Sequence, residues 1–369
     1  PRPDALRALF ARQPSDTELA PALSAAVADV VARQKEVGLD LVNDGEFGKP
    51  STEEIDFGAW AFYAFPRIAG YQIVEFEIGP GILTGKDHTD FADFYARYGK
   101  VTSSGKIRHG VAKEPLRYAG HDQVARDIKN LKAALGGATD GAFMTAMSAG
   151  WASTGWGGPS IYATREEEAV ALAEAMREEY RAIAAAGLTV QVDDPFLVNI
   201  YEFEHSVAGD LKAFRVWAER HVEVVNHSLA GIPEEQVRYH ICWGSWVGPH
   251  SSDLPIKEVL DLILKIKAGI YSFEAGNVQH EHEWKAWRDV KLPDGKMVMP
   301  GVVSHKTDVL EHPELVADRI VQYADVVGRE NVIAGVDCGL GGRIHPQLAW
   351  AKLKALSEGA RRASERLWA

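Results

Sequence analysis

The chain has 369 residues, 46% of them hydrophobic, with 40 Lys+Arg against 52 Asp+Glu and a formal charge of −12; this is the composition of a globular protein. Two cysteines are too few for a disulfide scaffold, and an acidic balance without Lys/Arg clusters excludes sequence-independent binding to nucleic acid or an anionic membrane. No apolar run approaches the ~20 residues that span a bilayer and the N-terminus has no signal-peptide core, so the cytoplasm is the expected compartment.

Along the chain a helix–strand rhythm recurs. Residues 18–37 place Leu19, Leu23, Ala26, Val27, Val30 and Val31 at helical spacing, Gly38 closes the helix, and 39–42 form a short apolar strand ending in Asn43-Asp44-Gly45-Glu46. Residues 57–113, rich in aromatics, break the rhythm and read as an insertion, a lid or an interface arm through which copies of the chain could associate. A helix over 121–135 precedes a strand over 142–147, and a helix over 165–186, opened by Glu166-Glu167-Glu168 at its dipole-favoured N-terminus, precedes a strand over 188–192 and Asp193-Asp194-Pro195. The remaining units are helix 211–229 with strand 237–242, helix 256–267 with strand 270–273, strand 297–303, helix 313–327 with strand 332–336, and a closing helix over 347–363.

Seven strands alternating with helices imply a parallel sheet, and an eighth strand before Pro1 would complete a (β/α)₈ TIM barrel, an α/β fold. Residues 1–369 then form a single catalytic barrel domain with 57–113 as its inserted arm. An open doubly wound sheet is the alternative, but no glycine fingerprint of the dinucleotide type opens a helix.

Catalytic groups of a barrel lie beyond the C-terminal ends of its strands. Those positions hold Asp44 and Glu46, Ser148, Asp193 and Asp194, His240 and Cys242, Glu274, His305, and Asp337 with Cys338. Seven polar or ionisable strand ends in succession exceed what solvated loops supply by chance. In a strand, residues two apart share a side, so His240 and Cys242 can present imidazole and thiolate to one metal, with Cys338 arriving from another strand. Soft sulfur and nitrogen donors select Zn²⁺ over Mg²⁺ or Ca²⁺. Buried free cysteines are common, and a disulfide between these two would be unusual in the cytoplasm.

The pair His240/Cys242, Cys338 within VDCGLG, the loop NDGEFGKP, the segment QVDDP and the opening PRP together resemble the catalytic barrel of the cobalamin-independent methionine synthase family, in particular its short single-barrel members. The resemblance covers nearly the whole chain. It implies a zinc enzyme that alkylates a thiol, with His240, Cys242, Cys338 and Glu274 as zinc ligands, Glu46 and Asp193 holding the amino group of homocysteine, and His305 protonating the leaving group. It also admits epoxide opening by zinc-bound coenzyme M, for which Lys306 and Arg343 could receive the sulfonate. A non-catalytic barrel that binds zinc or thiols is the reading from another class. The partners implied are a small thiol and an alkyl donor.

A thiol with pKa near 8.5 is mostly protonated at neutral pH, and binding to Zn²⁺ makes it a thiolate. His280-Glu281-His282-Glu283 is a second metal-like cluster, read here as a polar lid or surface. Trp243 and Trp246, with His250 beside them, read as core or rim packing near the pocket mouth, and Trp151, Trp156 and the run STGWGGPS follow the strand that ends at Ser148, either as a plain turn-rich loop or with Gly and Ser amides that could hold a substrate anion.

Overall fold

Parallel strands need a crossover of a dozen or more residues between them, which the alternating helices provide. The computed structural model describes residues 2–51, 63–77, 85–98, 106–154, 159–245 and 248–369. After α1 (Asp4–Ala11) and α2 (Asp16–Glu36) comes the arm: β1 (Ile68–Glu77), α3 (Lys86–Asp90), α4 (Ala92–Tyr98) and β2 (Lys106–Tyr118). The barrel resumes with α5 (His121–Ala134), β3 (Phe143–Met147), α6 (Arg165–Ala185), β4 (Thr189–Asp193), α7 (Phe196–Ile200), α8 (Leu211–Ser228) and β5 (Val237–Ile241). It continues through α9 (Leu260–Ile263), β6 (Ile270–Phe273), β7 (Met297–Val303), α10 (Pro313–Val327), β8 (Gly335–Val336) and α11 (Pro346–Leu367).

Strands β3 to β8 pair in chain order, each parallel to the next. Val42 adds a parallel bridge to Ala142, so seven strand positions follow one another around the curled sheet of a (β/α)₈ barrel. Helices form where the sequence is amphipathic and capped. Ser15 and Glu18 make a reciprocal capping box at the start of α2, and Thr164 accepts from the Glu167 amide at 3.1 Å to start α6. Leu172, Met176, Tyr180 and Ile183 of α6 are buried at successive turns and face the sheet.

Three predicted elements differ. The strand over 39–42 shrinks to the Val42 bridge because the Gln34 side chain captures both the amide and the carbonyl of Asn43, at 3.0 and 2.8 Å, and leads the chain out of the sheet. The strand over 332–336 is reduced to Gly335–Val336 plus a bridge from Val332 to Val298, since the β7–β8 register shifts between Gly301 and Val303. The helix over 256–267 is one 3₁₀ turn, Ile256–Glu258, followed by the four-residue α9. Its backbone closes mainly in tighter turns, with Val259 N on Ile256 O at 3.0 Å, Leu262 N on Val259 O at 2.9 Å and Ile266 N on Ile263 O at 3.0 Å. Neighbouring side chains add to them: Arg215 donates to Glu258 O, Asn226 donates to Lys265 O at 3.0 Å and accepts from the Lys267 amide at 2.8 Å, and Tyr271 donates to Ile266 O at 2.9 Å.

The inserted arm runs to Tyr118, beyond the predicted boundary, as an antiparallel ribbon registered from Ile68↔Tyr118 to Glu77↔Lys106. Of the predicted insertion, residues 57–62, 78–84 and 99–105 lie outside the described residues. At the arm's base Arg67 pairs with Asp127 of α5 at 2.7 Å and with Glu179 of α6 at 3.4 Å, and Tyr63 and Tyr118 both donate to Glu179. Farther along, Asp87 accepts from the Ser251 amide and hydroxyl at 2.9 and 2.6 Å, which docks the arm onto the loop that follows β5.

Candidate functional site

Register and alternation set which side chains line the barrel. Met147, Asp193, His240, Ser272 and Met299 are successive cross-strand partners, and Thr145, Gln191 and Arg238 form the row two residues below. Side chains two residues apart share a face of the sheet, so Asp193, His240 and Ser272 stand together at the C-terminal mouth. Arg238 Nε donates to Gln191 Oε1 at 2.6 Å and Gln191 Nε2 donates to Asp193 Oδ1 at 2.6 Å, a relay that fixes Asp193 from the layer beneath.

His240 lies with Nδ1 2.9 Å from Ser272 Oγ, which leaves Nε2 for the cysteines. Cys242 follows at the strand's end. Cys338 is delivered by the turn after β8, where the fully buried Asp337 carboxylate accepts from the Ala275 and Gly276 amides at 2.8 and 2.7 Å and from Asn277 Nδ2 at 3.2 Å. That turn comes so near β7 that a Cβ on Gly301 would lie 2.2 Å from Asp337 Oδ1 and 2.5 Å from its Cα. The result is one constellation. The donor atoms of His240, Cys242 and Cys338 all lie within 4.8 Å of one another, and no other such group of His, Cys, Asp and Glu exists among the described residues.

A hydrogen bond from Cys242, together with Arg343 and His240, holds the Cys338 thiol well below its ordinary pKa, and the same contact with burial drives Cys242 up. Burial alone would lower His240, but its contacts with Cys338 and the charge of Asp193 raise it. Beside them His305 is 4% exposed, and among the described residues neither ring nitrogen has a hydrogen-bond partner. Burial, with Arg343 and Lys306 nearby, brings its pKa down to about 3, so the imidazole is neutral at pH 7. Two thiols and an imidazole converging at a buried strand-end site, with Ser272 orienting the ring and an unpartnered imidazole alongside, are a donor set that fits Zn²⁺.

Glu274 is not in this trio. Its buried carboxylate accepts from the Trp243 amide at 2.8 Å and from Asn277 Nδ2 at 2.9 Å, and pairs with Lys306 Nζ at 2.8 Å. Ser148 is also committed elsewhere: its hydroxyl donates to Asp194 at 2.7 Å and accepts from the Gly150 amide at 3.0 Å. Asp194 itself faces away from the mouth, taking His221 at 2.7 Å and Tyr239 at 2.9 Å. Asp44 accepts from the Glu46 amide at 2.9 Å and shapes the turn, its pKa pushed up to about 6 by burial and by Asp127.

Glu46, at φ 59°, turns its side chain onto Thr145 and Lys49. Burial would raise its pKa, but Lys49, Thr145 and Arg343 together hold it below the usual value. Burial and Glu46 bring Asp193 up to about 6 against the opposing charges of His240 and Lys49.

His280 and His282 do not form a metal pair. They fall in and beside a 3₁₀ segment, not a strand; His280 is buried between Asp253 (3.1 Å) and Glu283 (2.9 Å), whereas His282 is exposed. Trp243 is core packing, with Nε1 donating to Leu254 O at 2.7 Å and its ring 4.2 Å from that of His280. Trp156 and Trp246 lie outside the described residues. Sequence reasoning passed over Ser272 and Lys49. Ser272 was readable, being two residues before Glu274 in a strand beside His240; Lys49 looked like an ordinary loop lysine.

Residues 97–362 match the family model described as the catalytic domain of cobalamin-independent synthase. The chain belongs to this family. It is 24% identical to a 2-hydroxypropyl-CoM lyase of Xanthobacter autotrophicus over 98% of this chain and 92% of that one. It is likewise 24% identical to a methionine synthase of Sulfurisphaera tokodaii, over 100% and 91%. The solved B12-independent methionine synthase from Shewanella sp. W3-18-1, in complex with selenomethionine, shares the fold at a TM-score of 0.68 and 20% identity, covering 96% of this chain and 91% of that one.

Proposed function

We propose that this member of the family is a zinc-dependent enzyme that transfers a methyl or alkyl group to the sulfur of a small thiol. Membership of the family and the similarity to both methionine synthases and a 2-hydroxypropyl-CoM lyase support thiol alkylation. The observation that carries the zinc reading is the convergence of His240, Cys242 and Cys338 within 4.8 Å at the strand ends. These three residues would hold the ion; Glu274 would join them only by leaving Lys306. When bound, Zn²⁺ supplies a charge that favours the deprotonated form of the acceptor thiol at neutral pH.

The chain's own residues do the rest. Ser272 fixes the His240 ring, and the Arg238–Gln191 relay fixes Asp193. His305, neutral and without a hydrogen-bond partner among the described residues, stands beside the cysteines with one N–H and one bare ring nitrogen. A neutral imidazole of this kind can relay a proton to the leaving group, its N–H donating as the bare nitrogen accepts one in turn. The arm is tied through Asp87 to Ser251 in the loop after β5.

The test is thiol binding. In the cobalt(II)-substituted protein, a small thiol should change the visible absorption spectrum, and the change should vanish in Cys338→Ser. A spectrum indifferent to every thiol offered would sink the reading.

A further inference from the structure

Resting on that reading, we infer that Lys49 is an internal ammonium occupying the place where a substrate ammonium would be received, so the acceptor is a short thiol without an amino group. The carboxylates at the mouth, Glu46 and Asp193, are the groups that could bind such a cation. Both are already served. Lys49 Nζ is 3.3 Å from Glu46 Oε1, hydrogen-bonds Thr145 Oγ1, and stands 4.6 Å from the centre of the Tyr63 ring. Thr145 Oγ1 in turn donates to the same Glu46 oxygen, closing a triangle. Lys49 is 7% exposed, so this is a built position and not a surface lysine at rest.

The backbone holds it there. The Lys49 amide donates to Glu46 O at 3.0 Å, and Arg2 Nη2 donates to Glu46 O and Lys49 O at 2.7 and 2.8 Å. Gly48, between them, comes so near α5 that a Cβ would lie 2.3 Å from Asp127 Oδ1. The turn cannot easily swing Lys49 out.

Charge makes the same point. Lys49 acts on Asp193 as well as Glu46, and the Arg343 guanidinium acts on both carboxylates. Two anions thus face two cations. An ammonium arriving at these carboxylates would meet Lys49 at close range, where like charges repel. A thiol whose only charge is a carboxylate or sulfonate meets no such penalty.

The experiment compares homocysteine with 4-mercaptobutanoate, the same skeleton without the amino group, by calorimetric titration of the zinc-loaded protein. The wild type should bind 4-mercaptobutanoate at least ~10-fold more tightly. Lys49→Ala, which frees Glu46, should shift the affinity ratio at least ~10-fold toward homocysteine. Lys49→Gln, which keeps a donor for Thr145, should do the same and serves if the alanine variant does not fold. Tighter binding of homocysteine by the wild type, or the same ratio in wild type and variant, overturns the inference while leaving thiol alkylation intact. Binding of neither thiol by the zinc-loaded wild type overturns the parent reading, and this inference with it.

Discussion

Ser272 Oγ lies 2.9 Å from Nδ1 of His240, across the β5–β6 register that makes the two residues direct partners. An imidazole that carries its N–H toward Ser272 presents Nε2 as a lone pair to the cysteine side. Partners that orient a metal-binding histidine in this way typically govern ~10–100-fold in metal affinity. Ser272→Ala should therefore lower zinc affinity by about that factor in competition with a chromophoric chelator, and Ser272→Thr should retain most of it. Equal affinity in wild type and Ser272→Ala would show that the ring is held by other means.

Gly301 is required by the approach of Asp337. A methyl group there would overlap both the Asp337 side chain and its backbone, at 2.2 Å from Oδ1 and 2.6 Å from N. Gly301→Ala should cost at least ~1–3 kcal/mol in stability and displace the turn that carries Cys338. The paired readings are the denaturant midpoint and zinc affinity, and both should fall. A fall in the midpoint alone would mean that Cys338 is positioned independently of this contact.

Asp44 titrates at about 6 in the fold instead of 3.8, chiefly through burial. From pH 3.8 to 6 the unfolded chain releases this proton before the folded one does, so Asp44 subtracts stability as pH rises through that window. Asp44→Asn keeps an oxygen acceptor for the Glu46 amide and removes the titration. Relative to wild type it should gain up to about 3 kcal/mol between pH 4 and pH 7, seen by denaturant unfolding at both. A pH-independent difference would contradict this.

The donor trio and the barrel are legible in the sequence for one reason: strand alternation is local. His240 and Cys242 share a side because they are two apart, and the helix–strand rhythm orders the strand ends around the mouth. What escaped depended on contacts between distant segments. Lys49 looks solvated until Thr145 and Tyr63 close around it. Ser148 and Glu274 sit at the right strand ends, but one turns to Asp194 and the other to Lys306. The helical periodicity of 256–267 is real, and Ile256, Val259, Leu260, Leu262, Ile263 and Ile266 are all buried, but the backbone closes mainly in tighter i to i+3 turns, while side chains from neighbouring elements take the carbonyls of Glu258, Lys265 and Ile266.

The central claim, one zinc held by His240, Cys242 and Cys338, is tested most directly by elemental analysis of the purified protein and of Cys242→Ser and Cys338→Ser. The account predicts about one zinc per chain in the wild type and loss of stoichiometric zinc in both variants after dialysis against a moderate chelator. A wild type without zinc, or variants that keep it in full, would contradict it.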